Sequence, residues 1–475
     1  MKVLIVSVNQ CRQPAPVMPY GACLVAQAAQ TAGHAVELLD MMFVKDPLRA
    51  LDDRLKGFRP DVIGLSIRNI DNNDILNTCA YFTALPPIMR LIRGQSDAPV
   101  VLGGAAVAVM PRSLLELTAA DWAVVGDGEA IFLQLLDALA QGRDGTGLPG
   151  LARVHGGRYA FHPAPQRTSL CDVTQPDFGT WLDLKAYRAH LTAAPLQTKR
   201  GCPFECVYCT YGAAEGKKYR LCSSAGVVEN VQRMVRAGLN NIEIVDNVFN
   251  SPLEHAVSVC EALAASPVRA RLQSLEMNPR FVTDELLTGM RRAGFVGMGI
   301  TVESASDTVL AAMNKPYCQA EVNHTAEIVA RHALPCLWIF MLGGPGETQQ
   351  SVQDTLEFAR RRIRRGDVAS FTVGVRIYPG TVLEALARDE GVLTVAPETM
   401  LTPAFYISPR VDRAWLIHTV RQASADNLSF LSGSSLALPG LQRAFRVAGA
   451  LGMKGPLWPR TRPIRRVLQM LHMPS

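Results

Sequence analysis

Gly201-Cys202-Pro203-Phe204-Glu205-Cys206-Val207-Tyr208-Cys209 sets three cysteines at a Cys-x3-Cys-x2-Cys spacing. Three thiolates this close on one loop can converge on one soft metal centre. Zinc would normally recruit a fourth Cys or His for a closed tetrahedral site. The next cysteine along the chain, Cys222, shows no paired spacing. An iron–sulfur cluster normally takes four cysteines. Three at this spacing therefore point to a cluster with one iron left for another ligand. A structural zinc loop and three unrelated core cysteines are the rival readings.

Outward from the loop, residues 191 to about 390 alternate strands with helices. The strand candidates are Pro195–Thr198, Ile242–Val245, Leu272–Met277, Met298–Val302, Leu337–Leu342 and Phe371–Ile377. Six such units suggest a partial, TIM-like (β/α)6 barrel, with its chemistry where the strands end. Residues 1–145 alternate in the same way, with strand candidates Val3–Val8, Val36–Leu39, Val62–Ser66, Val100–Leu102 and Trp122–Val125. A helix candidate, Tyr20–Ala32, is stopped by Gly33. Short, continuously apolar strands between helices predict a parallel sheet covered on both faces, the doubly wound, Rossmann-like α/β fold. Ligands of that fold sit at the carboxyl ends of the strands, where Gly103-Gly104 and Gly126-Asp127-Gly128-Glu129 fall. Residues 146–190, broken by Pro149-Gly150, Gly156-Gly157 and Pro163-Ala164-Pro165, read as a linker. Residues 391–475 are helical in pattern, and their basic tail, Arg460, Arg462, Arg465 and Arg466, reads as a solvated face.

The remaining composition is exclusionary. The chain has 475 residues, 48% hydrophobic and 19% charged, with a formal net charge of +6, which rules out global disorder and does not argue for nucleic acid. The longest stretch free of Asp, Glu, Lys and Arg, Gln13 to Val36, is interrupted by three prolines and by Gly21 and Gly33, so no membrane span is expected. The start, Met1-Lys2-Val3-Leu4-Ile5-Val6, runs straight into a strand, and no secretory signal is expected. Eleven cysteines is an odd number, and those outside the loop, including Cys171, stand singly. That does not fit a disulfide framework and favours a reducing cytoplasmic setting.

The cysteine loop, with aromatic Tyr208 before its third cysteine, resembles the radical S-adenosylmethionine superfamily. Three later elements, each at a strand end, resemble the family's motifs in order: Gly299–Ser304 its "GxES" element, Gly343–Thr348 its "GxPGET" loop, and Pro379-Gly380-Thr381 its "PGT". The resemblance implies that Cys202, Cys206 and Cys209 hold a 4Fe–4S cluster. S-adenosylmethionine would chelate the open iron and be cleaved to a 5′-deoxyadenosyl radical. It places Tyr208, Asp246, Asn278, Glu303, Ser304, Gly343, Gly344 and Pro345 around S-adenosylmethionine. Asp246 reads equally well as a helix N-cap.

A doubly wound domain ahead of such a barrel resembles the cobalamin-binding branch of that superfamily. The resemblance covers roughly residues 1–390 and implies corrin contacts from Gly103, Gly104, Gly126, Asp127, Gly128, Glu129, Arg68 and Asn69. The Asp-x-His-x-x-Gly motif that supplies a lower axial histidine elsewhere is missing. The implied activity is methylation of an unactivated carbon in a small-molecule or natural-product substrate, with an electron donor such as flavodoxin or ferredoxin. Oxidative cyclisation or rearrangement, or a radical enzyme whose first domain binds no cobalamin, are the alternatives.

Overall fold

The computed structural model describes residues 1–13, 15–165, 175–396, 400–433, 447–449 and 452–470. Cys171 lies outside them. The first sheet holds β1 (Lys2–Ser7), β2 (Ala35–Asp40), β3 (Val62–Ser66), β4 (Val100–Gly103), β5 (Trp122–Val124), β6 (Leu151–His155) and β7 (Arg158–Phe161). Its order is β2-β1-β3-β4-β5-β6-β7. The first five strands are parallel. Leu4, Val6, Ile63 and Leu65 pack on one face, and Val3, Ile5, Val62 and Val101 on the other. Strands buried on both faces cannot alternate polar with apolar, which is why the sequence shows them as unbroken apolar runs. The order reverses between β1 and β3, and a crevice opens there at the carboxyl ends.

The expected linker is instead partly built into this sheet. Leu151–His155 and Arg158–Phe161 form an antiparallel hairpin on β5. Gly156 and Gly157 both have positive φ, 56° and 74°. That pair is the two-residue turn whose twist suits a hairpin, so glycines that read as breakers make the turn. Further on, Tyr187 is fully buried and donates to Asp40 at 2.6 Å, and Trp181 Nε1 donates to Gln27 at 3.3 Å.

The second sheet runs in chain order: β8 (Ala194–Leu196), β11 (Asn241–Ile244), β12 (Arg271–Met277), β13 (Phe295–Glu303), β14 (Cys336–Leu342), β15 (Val368–Val373) and β18 (Phe430–Ser432). All its pairs are parallel, and β8 and β18 are not paired to each other. Among the described residues, two two-residue pairings stand apart from it. β9 (Lys199–Arg200) pairs with β10 (Arg220–Leu221), and β16 (Val375–Arg376) pairs with β17 (Phe405–Tyr406).

Among the described residues the barrel therefore has seven strands rather than the expected six. Phe371–Ile377 does not continue as one strand. Gly374, at φ 71°, turns it, and β16 leaves to pair with β17. The seventh strand, β18, comes from the region expected to be helical. Arg465, expected in a solvated tail, is 2% exposed. Its guanidinium donates to the backbone carbonyls of Ser424, Asn427 and Phe430, closing the turn into β18. No helix among the described residues is long and apolar enough to cross a membrane.

Candidate active site

The cysteine loop leaves β9 at Gly201, whose φ is 85°. A Cβ there would stand 2.1 Å from the Lys218 carbonyl, so only glycine fits. The loop is pinned from several sides. Cys202 N donates to Gly216 O at 3.0 Å, Val207 N to Met313 O at 3.2 Å, and Asn314 Nδ2 to Glu205 O at 2.8 Å. Glu215 accepts from Gly201 N at 3.2 Å and from Asn247 at 2.8 Å. The ten described cysteines are free thiols. Burial pushes the Cys202 thiol up and Cys209 to about 11, and the neighbouring cysteines add to both. Among the described residues no three Cys, His, Asp or Glu side chains converge as ligands of a single metal ion. A cubane cluster takes each cysteine on a different iron, and three soft thiols spread around one braced loop fit that donor set.

Beside the loop, Tyr208 donates to Glu303 Oε1 at 2.5 Å. Lys315 Nζ donates to the same oxygen at 3.1 Å and to the Tyr208 hydroxyl at 3.0 Å. Burial disfavours the Lys315 ammonium, but the facing Tyr208, Tyr317 and Glu303 oxygens outweigh it and hold it charged. Glu303 sits at φ 63°, and its other oxygen, Oε2, is buried without a partner. An orphaned carboxylate oxygen at a strand end, on strained backbone, asks for a ligand hydroxyl or ammonium. The residues here fit an aminoacyl nucleoside. Glycine-rich backbone lies alongside, at the end of the neighbouring β14. A Cβ at Gly344 would stand 1.9 Å from Met313 Cε, Gly343 has φ 93°, and Pro345 is buried. Glu347 braces this turn by accepting from Gly343 N at 3.1 Å and Ser351 Oγ at 2.5 Å; burial pushes it up to about 7.

Three expected contacts are occupied otherwise. Asp246 is fully buried and accepts from Thr198 N at 2.7 Å, Thr198 Oγ1 at 2.5 Å and Lys199 Nζ at 3.2 Å. It clamps the strand that feeds the cysteine loop and caps no helix. Ser304 Oγ lies 3.2 Å from Thr355 Oγ1 and accepts from Ser306 N, so it serves packing of the helix Gln349–Arg362. Asn278 Oδ1 accepts from Arg280 N at 2.9 Å and caps a short turn.

Sequence reasoning missed Lys315, which no motif marks, and the barrel carboxyls Glu243 and Glu276. Gln273 donates to Glu243 at 2.5 Å. Burial, with repulsion from Glu303 and Glu243, pushes Glu276 up to about 8. A carboxyl whose folded pKa is raised binds its proton more tightly in the native state. Its contribution to stability is complete below about pH 4.5 and is lost as pH rises towards 8. Glu276→Gln should remove that slope. Thermal unfolding of the metal-free protein should show little difference near pH 5 and a gain on the order of 2–4 kcal/mol for the variant near pH 9. Parallel curves for the two proteins would contradict a protonated Glu276.

The first sheet's crevice is a cavity of about 370 Å³. Gly103, Gly104, Gly126, Asp127, Gly128, Glu129 and Arg68 line it from the first sheet. Gln197, Arg200, Ala214, Glu215 and Val245 line it from the barrel side. Gly104, at φ 100°, would place a Cβ 2.4 Å from the Ile67 carbonyl, whereas Gly103 faces open space. Glycines at the strand ends let a large flat ligand approach the backbone, and these residues fit a corrin. Asn69 does not line the cavity; its amide exchanges hydrogen bonds with Arg68. Asp127 and Glu129 line it, but their charge is engaged. Arg200 Nη1 reaches Asp127 at 3.0 Å and Glu129 at 2.5 Å, and Arg220 also pairs with Asp127. Burial works against the Asp127 charge, but Arg220 and Arg200 outweigh it and hold the carboxyl below its usual range. The polar loop after β3 also crosses to the barrel: Arg376 Nε donates to Asp71 at 2.8 Å and Tyr378 to Asn73 at 2.7 Å.

The family model described as the radical SAM superfamily matches residues 196–359, and that of the B12 binding domain matches residues 13–136. The chain thus carries a radical SAM domain behind a B12-binding domain. It is 25% identical over 385 residues to an uncharacterised methyltransferase of Pyrococcus horikoshii, covering 79% of each. It is 22% identical over 457 residues to tryptophan 2-C-methyltransferase of Streptomyces laurentii, covering 83% of this chain and 76% of that one. The structure of the radical S-adenosylmethionine methyltransferase TsrM from Kitasatospora setae, with cobalamin and a 4Fe–4S cluster bound, superposes with a TM-score of 0.85. It covers 99% of both chains at 22% identity, which shows a shared fold.

Proposed function

We propose that this enzyme is a cobalamin-dependent methyltransferase that acts on an unactivated carbon of a small-molecule substrate. The observation that carries the reading is the shared cavity. One wall is the glycine-lined end of the first sheet, and the other includes Ala214 and Glu215 of the helix that follows the cysteine loop. A corrin in the first wall would face a cluster in the second. The cluster, S-adenosylmethionine and cobalamin would supply electron transfer, radical generation and the methyl carrier. The chain's own residues do the positioning. Cys202, Cys206 and Cys209 hold the cluster. Glu303 Oε2 takes a hydroxyl or ammonium of S-adenosylmethionine, with Tyr208 and Lys315 fixing its other oxygen. The Gly343–Pro345 turn lets a flat base approach the backbone. Gly103, Gly104, Gly126 and Gly128 admit the corrin, and Arg200 keeps the two walls together. Arg68 lines the cavity between the domains, which supports a contact from it to the corrin. A low-potential donor such as flavodoxin or ferredoxin would supply the electron, in a reducing cytoplasmic setting.

Anaerobic reconstitution with iron, sulfide and hydroxocobalamin tests this. About four irons and about one corrin per chain should survive gel filtration. Label from methyl-labelled S-adenosylmethionine should then pass to the corrin. Iron without retained corrin would refute the cobalamin half of the proposal.

A further inference from the structure

A second cavity, of about 510 Å³, opens at the amino-terminal ends of the barrel strands, on the face opposite the cysteine loop. Four cations gather around it. Arg188 comes from the helix Leu184–Ala189, Arg271 opens β12, Arg269 precedes it, and Lys454 comes from the C-terminal region. Among the described residues no Asp or Glu lines the cavity. Among the described residues none of the four is paired with a carboxylate. Two of them are held in place without being neutralised. Arg271 Nε donates to Gly455 O at 3.0 Å, and Arg269 Nη1 to Ser266 O at 2.7 Å and Val268 O at 2.9 Å. Two further polar atoms on the same wall lack partners. Thr192 is 8% exposed with Oγ1 unpaired, and Asn241, the first residue of β11, has Oδ1 buried and unpaired.

Four like charges brought together from three segments distant in sequence repel one another unless an anion joins them. Buried polar atoms left unsatisfied carry a cost of the same kind. Three of the four cations are arginines, whose planar fork matches phosphoryl oxygens two at a time. The volume falls in the range of about 300–1,000 Å³ that small-molecule sites occupy. We propose that this cavity binds a phosphate-bearing small molecule. Its phosphoryl oxygens meet Arg188, Arg269, Arg271 and Lys454, and a hydroxyl or amine donor meets Asn241 Oδ1 and Thr192 Oγ1. The site lies apart from the cluster loop and the interdomain cavity, so it binds without touching the reacting atoms.

The test is calorimetric titration of the reconstituted holoprotein with inorganic pyrophosphate at about physiological ionic strength, with sulfate as a second titrant. Saturable binding of pyrophosphate is expected, with sulfate at least tenfold weaker. The double variant Arg188→Ala/Arg269→Ala removes two exposed cations whose hydrogen bonds, among the described residues, reach only neighbouring carbonyls. It should lose at least a further tenfold while its melting curve and bound iron stay unchanged. No saturable heat, equal affinity for sulfate, or unaltered affinity in the variant would each overturn the proposal.

Discussion

Cys206→Ala should hold less than one iron per chain after anaerobic reconstitution, against about four for the parent, and should form no 5′-deoxyadenosine from S-adenosylmethionine. Two remaining thiolates cannot anchor a cubane that the loop offers only three. The protein itself should survive. Among the described residues the Cys206 side chain makes no hydrogen bond, and its carbonyl still accepts from Cys209 N at 3.0 Å. The loop's anchors, Val207 N to Met313 O and Leu383 N to Val207 O at 2.9 Å, are backbone bonds that alanine keeps. Circular dichroism should therefore match the parent while the cluster's visible absorption disappears. Full iron content with undiminished nucleoside release would remove the loop from the chemistry.

Arg200→Ala should have the next largest effect, and on a different cofactor. Arg200 is 8% exposed, and one of its nitrogens, Nη1, serves both Asp127 and Glu129 across the domain boundary. Removing it leaves Glu129 unpaired and Asp127 dependent on Arg220 alone. Breaking a buried pair on one side costs about 3–5 kcal/mol, and the surviving Arg220 should lower that to about 2–4 kcal/mol. Corrin retention should fall by at least tenfold, while the iron count is kept. Because both carboxylates converge on a single nitrogen, Arg200→Lys should recover part of the loss, although lysine cannot also replace Nε at Gln197, 3.2 Å away. Equal corrin retention in Arg200→Ala and the parent would show that the two walls need no such tie.

Most of the two sheets was legible because doubly buried strands leave no room for polar residues. Lys2–Ser7, Val62–Ser66 and Cys336–Leu342 announce themselves as apolar runs. What escaped was short or conditional on partners. β18 has three residues and is held by β15 and by Arg465, neither of which is local in sequence. The hairpin at Gly156-Gly157 required recognising consecutive positive φ values where a break was equally plausible. The site divides in the same way. The cysteines follow from their spacing, and Glu303 from the resemblance of Gly299–Ser304 to a family element. At Asp246 and Ser304 a polar residue at a strand end can face either a ligand or a neighbouring element, and here Lys199 and Thr355 take them. Lys315 reaches Glu303 only through the fold.

The late origin of β18 also bears on the order of synthesis. On the ribosome the first sheet has all its strands once Phe161 has emerged. The cysteine loop follows soon afterwards, yet the strand that completes the barrel, Phe430–Ser432, and the arginine that fastens it come more than 200 residues later. Nascent chains would therefore display the three thiols on an open-edged parallel sheet for as long as translation of that interval lasts. Parallel pairings across such separations are slow to form, so edge closure rather than cluster delivery limits folding, and slow iron supply would be felt as inactive, folded enzyme.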